Sequence, residues 1–309
     1  MQPSTASKTA LATSLMRALH TRTDPNRIIN DPWGDRLVPE ATRESVRQRA
    51  TSAAMTVHDN TGDTDADAFV DAWLRGSAAY ASVITRSRYA EDALHSAIAR
   101  GCTQYVLVGA GFDSYALRTP PESAHVSIYE VDHPATQSLK CQRILECGLS
   151  VRDSVHFLAA DLSTESLSSV LERSSFDSSK LAFFSWLGVT SYLTREANLE
   201  SLRSIASSTT AGSELVFTYV DQAAFESNEI TNTGIGKSVA SIGEPFLSGF
   251  NPKTLAEDLR ALGFALVEDL HIRQVVERYD PRGLNQLQSA QFSRIAHARV
   301  TGDAKHGDA

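Results

Sequence analysis

The stretch Tyr105-Val106-Leu107-Val108-Gly109-Ala110-Gly111-Phe112-Asp113 constrains the fold of this chain more than any other. A short apolar run with β-branched residues meets Gly-x-Gly and then a segment able to start a helix. Such a run reads as a buried strand that turns sharply, with glycines where the backbone bends or lets a ligand come close. A helix N-terminus just beyond leaves N–H groups pointing outward, which suits an anionic group. Further short apolar runs follow at 126–131, 154–158, 181–186, 214–220, 264–271 and 295–300. Helical stretches at 135–147, 164–173, 195–209 and 254–262 separate most of them. Strand–helix alternation implies parallel strands joined by right-handed crossovers, with helices on both faces. The expected fold is therefore α/β: a doubly wound, seven-stranded, mostly parallel sheet.

The first hundred residues have a different texture. Leu11, Leu15 and Leu19, widened by Met16, give 8–20 an amphipathic helical stripe. Pro and Gly punctuate Asp24-Pro25 and Asp31-Pro32-Trp33-Gly34-Asp35 into turns. Residues 40–53 are helix-compatible, and 57–68 reads as an acid-rich solvated loop without the ligand pattern of an EF-hand. Residues 69–99 are mostly helical, interrupted by Gly76 and closed by Gly101. The organisation expected is a helical cap over 1–100, a cofactor-binding core over 101–300 and a tail over 301–309. Within the core, 221–249 is rich in Gly, Ser, Asn and Thr and reads as a lid-like insertion.

Charge and cysteine usage exclude several partners. The formal net charge is −8 and Lys/Arg are scattered, which argues against nucleic acid or an anionic membrane as partner. Cys102, Cys141 and Cys147 are odd in number and lack Cys-x-x-Cys spacing, so a disulfide framework is not expected. The N-terminus has no apolar stretch of the signal-peptide kind, and no run approaches the ~18 apolar residues of a membrane span. A cytoplasmic location is the expectation.

In open α/β sheets ligands bind beyond the carboxyl ends of the strands. The residues there are Gly109, Gly111 and Asp113 after the first strand, and Glu130-Val131-Asp132-His133 at the end of the second. Asp161-Leu162 follow the third strand, and Leu187 to Leu193 follow the fourth. Asp132 stands 21 residues beyond Gly111, where a carboxylate can accept from two ribose hydroxyls at once. Asp132 and Asp161 also precede helical segments, where either could serve as a cap. A nucleoside ligand leaves two classes, a dinucleotide or S-adenosylmethionine. The dinucleotide fingerprint needs a third glycine at 114, and Ser114 is there instead.

Several motifs together resemble the leucine carboxyl methyltransferase family, in its bacterial and natural-product branch of S-adenosylmethionine-dependent methyltransferases. They are Arg86-Ser87-Arg88-Tyr89, Val108-Gly109-Ala110-Gly111-Phe112-Asp113-Ser114-Tyr115-Ala116-Leu117-Arg118 and Tyr129-Glu130-Val131-Asp132-His133-Pro134. Leu15-Met16-Arg17-Ala18-Leu19 and Asp31-Pro32-Trp33-Gly34-Asp35-Arg36-Leu37 fit the branch's N-terminal pattern. The resemblance implies that Arg86 binds the methionine carboxylate and that Gly109 and Gly111 pass close to the methionine and ribose. It matches Asp113 and Arg118 to the acid and arginine beyond that turn, and Asp132 to the ribose-binding acid, with Glu130 as the neighbouring option. Asp161 and Leu162 match the adenine-binding pair. Leu187 stands where the family usually carries a pocket-lining glutamate.

The implied enzyme is an S-adenosylmethionine-dependent O-methyltransferase acting on a small molecule, a carboxylate or a polyketide-like hydroxyl. Methyl transfer from a sulfonium is an in-line displacement, so the protein mainly aligns the acceptor. A carboxylate acceptor is ionised at pH 7, whereas a hydroxyl needs a base. Tyr192 and His133 are the catalytic candidates near the strand ends, and no His/Cys/Asp cluster has metal spacing. A dinucleotide-dependent oxidoreductase and a non-catalytic nucleoside-binding protein are the alternatives.

Overall fold

A computed structural model of the protein describes residues 6–55, 66–227, 229–241, 243–288 and 291–302. Its strands are β1 (Gln104–Val108), β2 (Ser127–Asp132), β3 (Val155–Ala159), β4 (Ala182–Trp186), β5 (Glu214–Val220), β6 (Phe264–His271) and β7 (Ser293–Val300). They form one sheet in the order β3-β2-β1-β4-β5-β7-β6. The pairs from β3 to β5 are parallel, and β7 runs antiparallel between β5 and β6. The three central strands β1, β4 and β5 are buried along their whole length, as strands covered on both faces must be. Strand order reverses between β1 and β4, which opens a crevice at their carboxyl ends.

The helices are α1 (Lys8–Thr23), α2 (Gly34–Leu37), α3 (Glu40–Met55), α4 (Ala66–Arg75), α5 (Tyr80–Ala99), α6 (Tyr115–Arg118) and α7 (Pro134–Glu146). After them come α8 (Leu167–Glu172), α9 (Arg195–Ser207), α10 (Ala223–Glu226), α11 (Glu229–Asn232), α12 (Gly234–Ser241), α13 (Leu255–Ala261) and α14 (Ile272–Tyr279). Alternate β1 side chains divide the core. Val106 and Val108 pack with Leu167, Leu202 and Leu259 of α8, α9 and α13, whereas Tyr105 and Leu107 pack with Leu94 of α5 and Val275 of α14. A third cluster joins Leu15 and Leu19 of α1 to Leu37, Leu74, Val83 and Ile84, and takes in Phe112 from the glycine turn. Helix α5 thus contributes its first half to the N-terminal helical layer and its second half to the sheet.

All seven expected strands form, with boundaries shifted by a residue or two at half of their ends. The helix expected over 164–173 is shorter, because Ser166 caps it by accepting from Ser169 N at 3.3 Å. The residues before it fold back on Asp161, whose carbonyl accepts from Thr164 N and Glu165 N at 2.9 Å each. Helix α14 was not anticipated, although Ile272, Val275, Val276 and Tyr279 carry helical spacing. Most of the acidic loop over 57–68 lies outside the described residues. Among the described residues no helix is long and apolar enough to cross a membrane, and no group of three His, Cys, Asp or Glu gathers as a metal site.

Candidate active site

A cavity of about 580 Å³ opens at the carboxyl ends of β1, β2 and β4. Its walls include Arg86, Gly109, Gly111, Asp113, Asp132, His133, Asp161, Leu162, Leu187 and Tyr192. Residues from five separate segments of the sequence reading are therefore brought to one place. The start of α1 and residues 243–247 complete the enclosure.

The glycine turn is held by two bonds, Gly109 N and Ala110 N donating to Val131 O at 2.8 and 3.1 Å. Gly109 and Gly111 have φ of +69° and +53°, in the left-handed region that a side chain disfavours. A Cβ on Gly109 would lie 2.4 Å from Val189 Cγ2, and one on Gly111 would lie 3.0 Å from Ala10 Cβ. Both glycines thus admit protein neighbours, the loop after β4 and helix α1, as well as shaping the ligand side of the turn. The Asp132 carboxylate locks the turn from the next strand. It accepts from Gly111 N on one oxygen and from His133 N at 2.6 Å on the other. Burial raises the Asp132 pKa, and the two backbone N–H groups oppose that rise.

Arg86 comes from the middle of α5. Its guanidinium lies flat against Gly188, where a Cβ would be only 2.7–2.9 Å from its terminal atoms. Among the described residues it has neither a hydrogen bond nor an ion pair. Burial pulls its pKa down to about 10, with Tyr192 and Asp113 partly opposing. Arg17, the other guanidinium on the cavity wall, differs: Nε donates to Asp31 at 2.8 Å and Nη2 to Phe112 O at 2.6 Å. Arg86 is a partly buried cation with no ion pair among the described residues, an arrangement that an incoming carboxylate would satisfy.

The remaining candidates occupy distinct parts of the wall. Asp161 accepts from Ser163 Oγ at 2.6 Å and from Ser163 N at 3.0 Å, and these bonds lower its pKa. His133 Nδ1 accepts from Ala135 N at 3.3 Å, capping α7, and its Nε2 lies 4.0 Å from Asp161 Oδ2. With Nδ1 so engaged, the neutral ring carries its proton on Nε2 and has no free lone pair for a base. Burial pushes the Tyr192 phenol up to about 12, so it stays protonated at neutral pH. Leu187 contributes an apolar patch. Asp113 accepts from Tyr115 N at 2.7 Å, and Arg118 turns away to pair with Glu91.

Glu130 corrects the sequence reading. It is not on the cavity wall; its side chain is buried and pairs with Lys140 of α7. Burial raises its pKa against the pull of Lys140. Two residues along a strand share a face in principle, but Asp132 ends β2 and its side chain follows the turn toward the glycines. Sequence reasoning missed Gly188, although a glycine directly after the fourth strand was a visible signal. It also missed Glu244, for which nothing in the local sequence speaks.

Comparison with known proteins places this geometry. A solved structure titled as a "putative methyltransferase" from Thermobifida fusca YX superposes with a TM-score of 0.50 at 15% identity, covering 77% of this chain and 90% of that one. Over 303 residues the chain is 27% identical to the "Putative S-adenosyl-L-methionine-dependent methyltransferase YktD" of Bacillus subtilis strain 168, covering 96% of this chain and 99% of that protein. A Mycobacteroides abscessus protein with the same description, without the final name, is 30% identical over 69% of this chain and 67% of its own length. Sheet order, site and relatives together define an S-adenosylmethionine-dependent methyltransferase with a class I type of sheet. The family model described as leucine carboxyl methyltransferase matches residues 10–206. The chain belongs to the leucine carboxyl methyltransferase family, and its cofactor is S-adenosylmethionine. Neither the dinucleotide oxidoreductase nor the non-catalytic reading is favoured by this membership.

Proposed function

We propose that the protein transfers a methyl group to an oxygen of a small molecule, a carboxylate or a hydroxyl of polyketide-like type. The observation that carries the reading is Arg86, a partly buried guanidinium on the cavity wall with no hydrogen bond or ion pair among the described residues. A methionine carboxylate is a complementary counter-ion for it. Asp132 would hold the ribose hydroxyls, Asp161 and Leu162 the adenine, and Gly109 and Gly111 the backbone between them. Asp113 is a carboxylate beside Arg86 for the methionine ammonium. The cofactor supplies an electrophilic methyl on a sulfonium; the chain binds, orients and excludes water.

The roof over the cavity favours a small acceptor over a polymer, since Ser7, Thr9, Pro245 and Leu247 close it from two sides. Hydroxyls of Thr9, Thr13 and Tyr192 offer hydrogen bonds for an oxygen acceptor, among apolar Val189, Leu193 and Leu247. Neutral Tyr192 acts as a donor or acceptor for orientation; His133 is a helix cap with a donor Nε2. A carboxylate acceptor needs no base and suits this wall directly. A cytoplasmic setting accords with the free cysteines. The test is incubation of the protein with methyl-labelled S-adenosylmethionine and an extract of its host, followed by mass spectrometry of the products. A labelled small molecule with an ester or ether methyl is expected. Label found only on nitrogen or on macromolecules refutes the proposal.

A further inference from the structure

We propose that Glu244 latches a strap, residues 243–248, across the mouth of the cavity, and that the cofactor exchanges when this latch opens. The inference rests on the cofactor reading above. The strap starts at Gly243, whose φ is +82° and whose missing Cβ would meet nothing within 4 Å. The turn closes α12, with Gly243 N donating to Ala240 O at 3.1 Å and Glu244 N to Val239 O at 2.9 Å, so the strap is hinged on the end of that helix. Its far end is bolted to the loop after β4. Leu247 N donates to Ser191 O at 2.6 Å, Ser248 Oγ donates to Leu193 O at 2.7 Å, and the Phe246 ring sits 5.3 Å from that of Tyr192.

The near end reaches helix α1. Glu244 Oε1 accepts from Lys8 N at 3.1 Å, and Oε2 accepts from Ser7 Oγ at 3.3 Å. Helix α1 has no acidic residue in its own first turn. The carboxylate that complements its positive end arrives from across the chain. Ser7 is itself the cap of α1, accepting from Ala10 N at 3.1 Å, and its N–H donates to Thr136 Oγ1 at 3.1 Å on α7. One side chain therefore couples the strap to α1 and, through Ser7, to the helix that follows Asp132 and His133.

Two features make this contact a latch rather than part of the core. Among the described residues, the hydrogen bonds between the strap and α1 run through Glu244 alone. Of the strap's two large apolar side chains, Phe246 packs toward Val220, Ala224 and Ile230 while Leu247 is 53% exposed, so apolar burial anchors the far end and not the contact with α1. Both bonds are open to competition by water, which keeps each of modest net strength and reversible. Ser7, Glu244 and Leu247 share the cavity wall with Asp132 and Asp161, so opening the strap opens the cofactor side as well.

The test measures dissociation of S-adenosylhomocysteine from the full chain by surface plasmon resonance. Glu244→Ala removes both bonds and is expected to release the ligand about 10-fold faster. Glu244→Gln keeps an acceptor for Lys8 N and a donor for Ser7 Oγ, and is expected to stay within about 3-fold of the native rate. Ser7→Ala should add little in the Glu244→Ala background, because the two act through one contact. An unchanged rate for Glu244→Ala, or a Gln variant as fast as the Ala variant, overturns the latch. Failure of the native protein to bind S-adenosylhomocysteine would instead reject the cofactor assignment on which it rests.

Discussion

Gly188→Ala isolates what the position of Arg86 is worth. The guanidinium packs on the Cα of Gly188, and a methyl there would stand 2.7 Å from Nη2, 2.8 Å from Nη1 and 2.9 Å from Cζ. These are the far atoms of a flexible side chain, so they yield, but yielding moves the charge off its seat. Gly188 also has φ of +72°, and forcing a side chain into that region costs about 1–2 kcal/mol. A modest loss of stability is therefore expected, a fall in melting temperature of a few degrees. The larger effect should be on binding. Misplacing a charge-assisted pair forfeits about 1.5–3 kcal/mol, or roughly 10- to 100-fold in affinity for S-adenosylhomocysteine. Arg86→Met provides the opposite sign in stability. A buried cation whose pKa is lowered to about 10 is penalised for its charge at every pH below that value. Replacing it should raise the melting temperature of the cofactor-free protein while removing most of the affinity. Calorimetric titration with S-adenosylhomocysteine, paired with thermal melts, reads both quantities. A Gly188→Ala protein that binds as tightly as the native one refutes the claim that Arg86, held on this glycine, is the carboxylate clamp.

Other expectations follow from neighbouring groups. Asp132→Asn keeps the shape of the side chain but offers one acceptor oxygen in place of two, so S-adenosylhomocysteine affinity should fall at least 10-fold by titration. Glu130→Gln should leave that affinity unchanged, because Glu130 faces Lys140 and not the cavity. Lys140→Met, by contrast, strands a buried carboxyl and should destabilise the fold by about 3 kcal/mol in chemical denaturation at pH 8. Glu214 is held down to about 2 despite burial, by His297 and Arg100. Its folded pKa is below the ordinary 4.5, so its contribution is complete above pH 4.5 and lost as pH falls toward 2. Glu214→Gln should thus lower the melting temperature at pH 7 and make little difference near pH 2; equal effects at both pH values would contradict this.

Much of this architecture was legible because it follows from local pattern. Strands β1 to β7 announce themselves as short apolar runs, and the acids at 132 and 161 are legible once strand ends are known to gather. Glu130 shows the limit of that logic. Both residues belong to β2, but Glu130 lies inside it beside Lys140, whereas Asp132 stands at its end, where the N–H groups of Gly111 and His133 take its carboxylate. The glycines were only half read. Their sharp turn was expected, but Val189 and Ala10 fill the space beside them, and no local window contains those partners. Glu244 is wholly tertiary: it caps a helix that begins 236 residues earlier, at Lys8.

That separation has a consequence during synthesis. The start of α1 leaves the ribosome before its seat against Gly111 and Phe112 is made, and Glu244 emerges later still. At about 5–20 residues per second, roughly 10–50 s pass between the appearance of Lys8 and that of its capping carboxylate. A nascent chain can assemble β1 and its neighbours while the cavity still lacks its roof. The methyl-donor site is thus finished by segments made far apart in time, and a chain arrested before residue 244 would hold Asp113, Asp132 and Asp161 with the door left open.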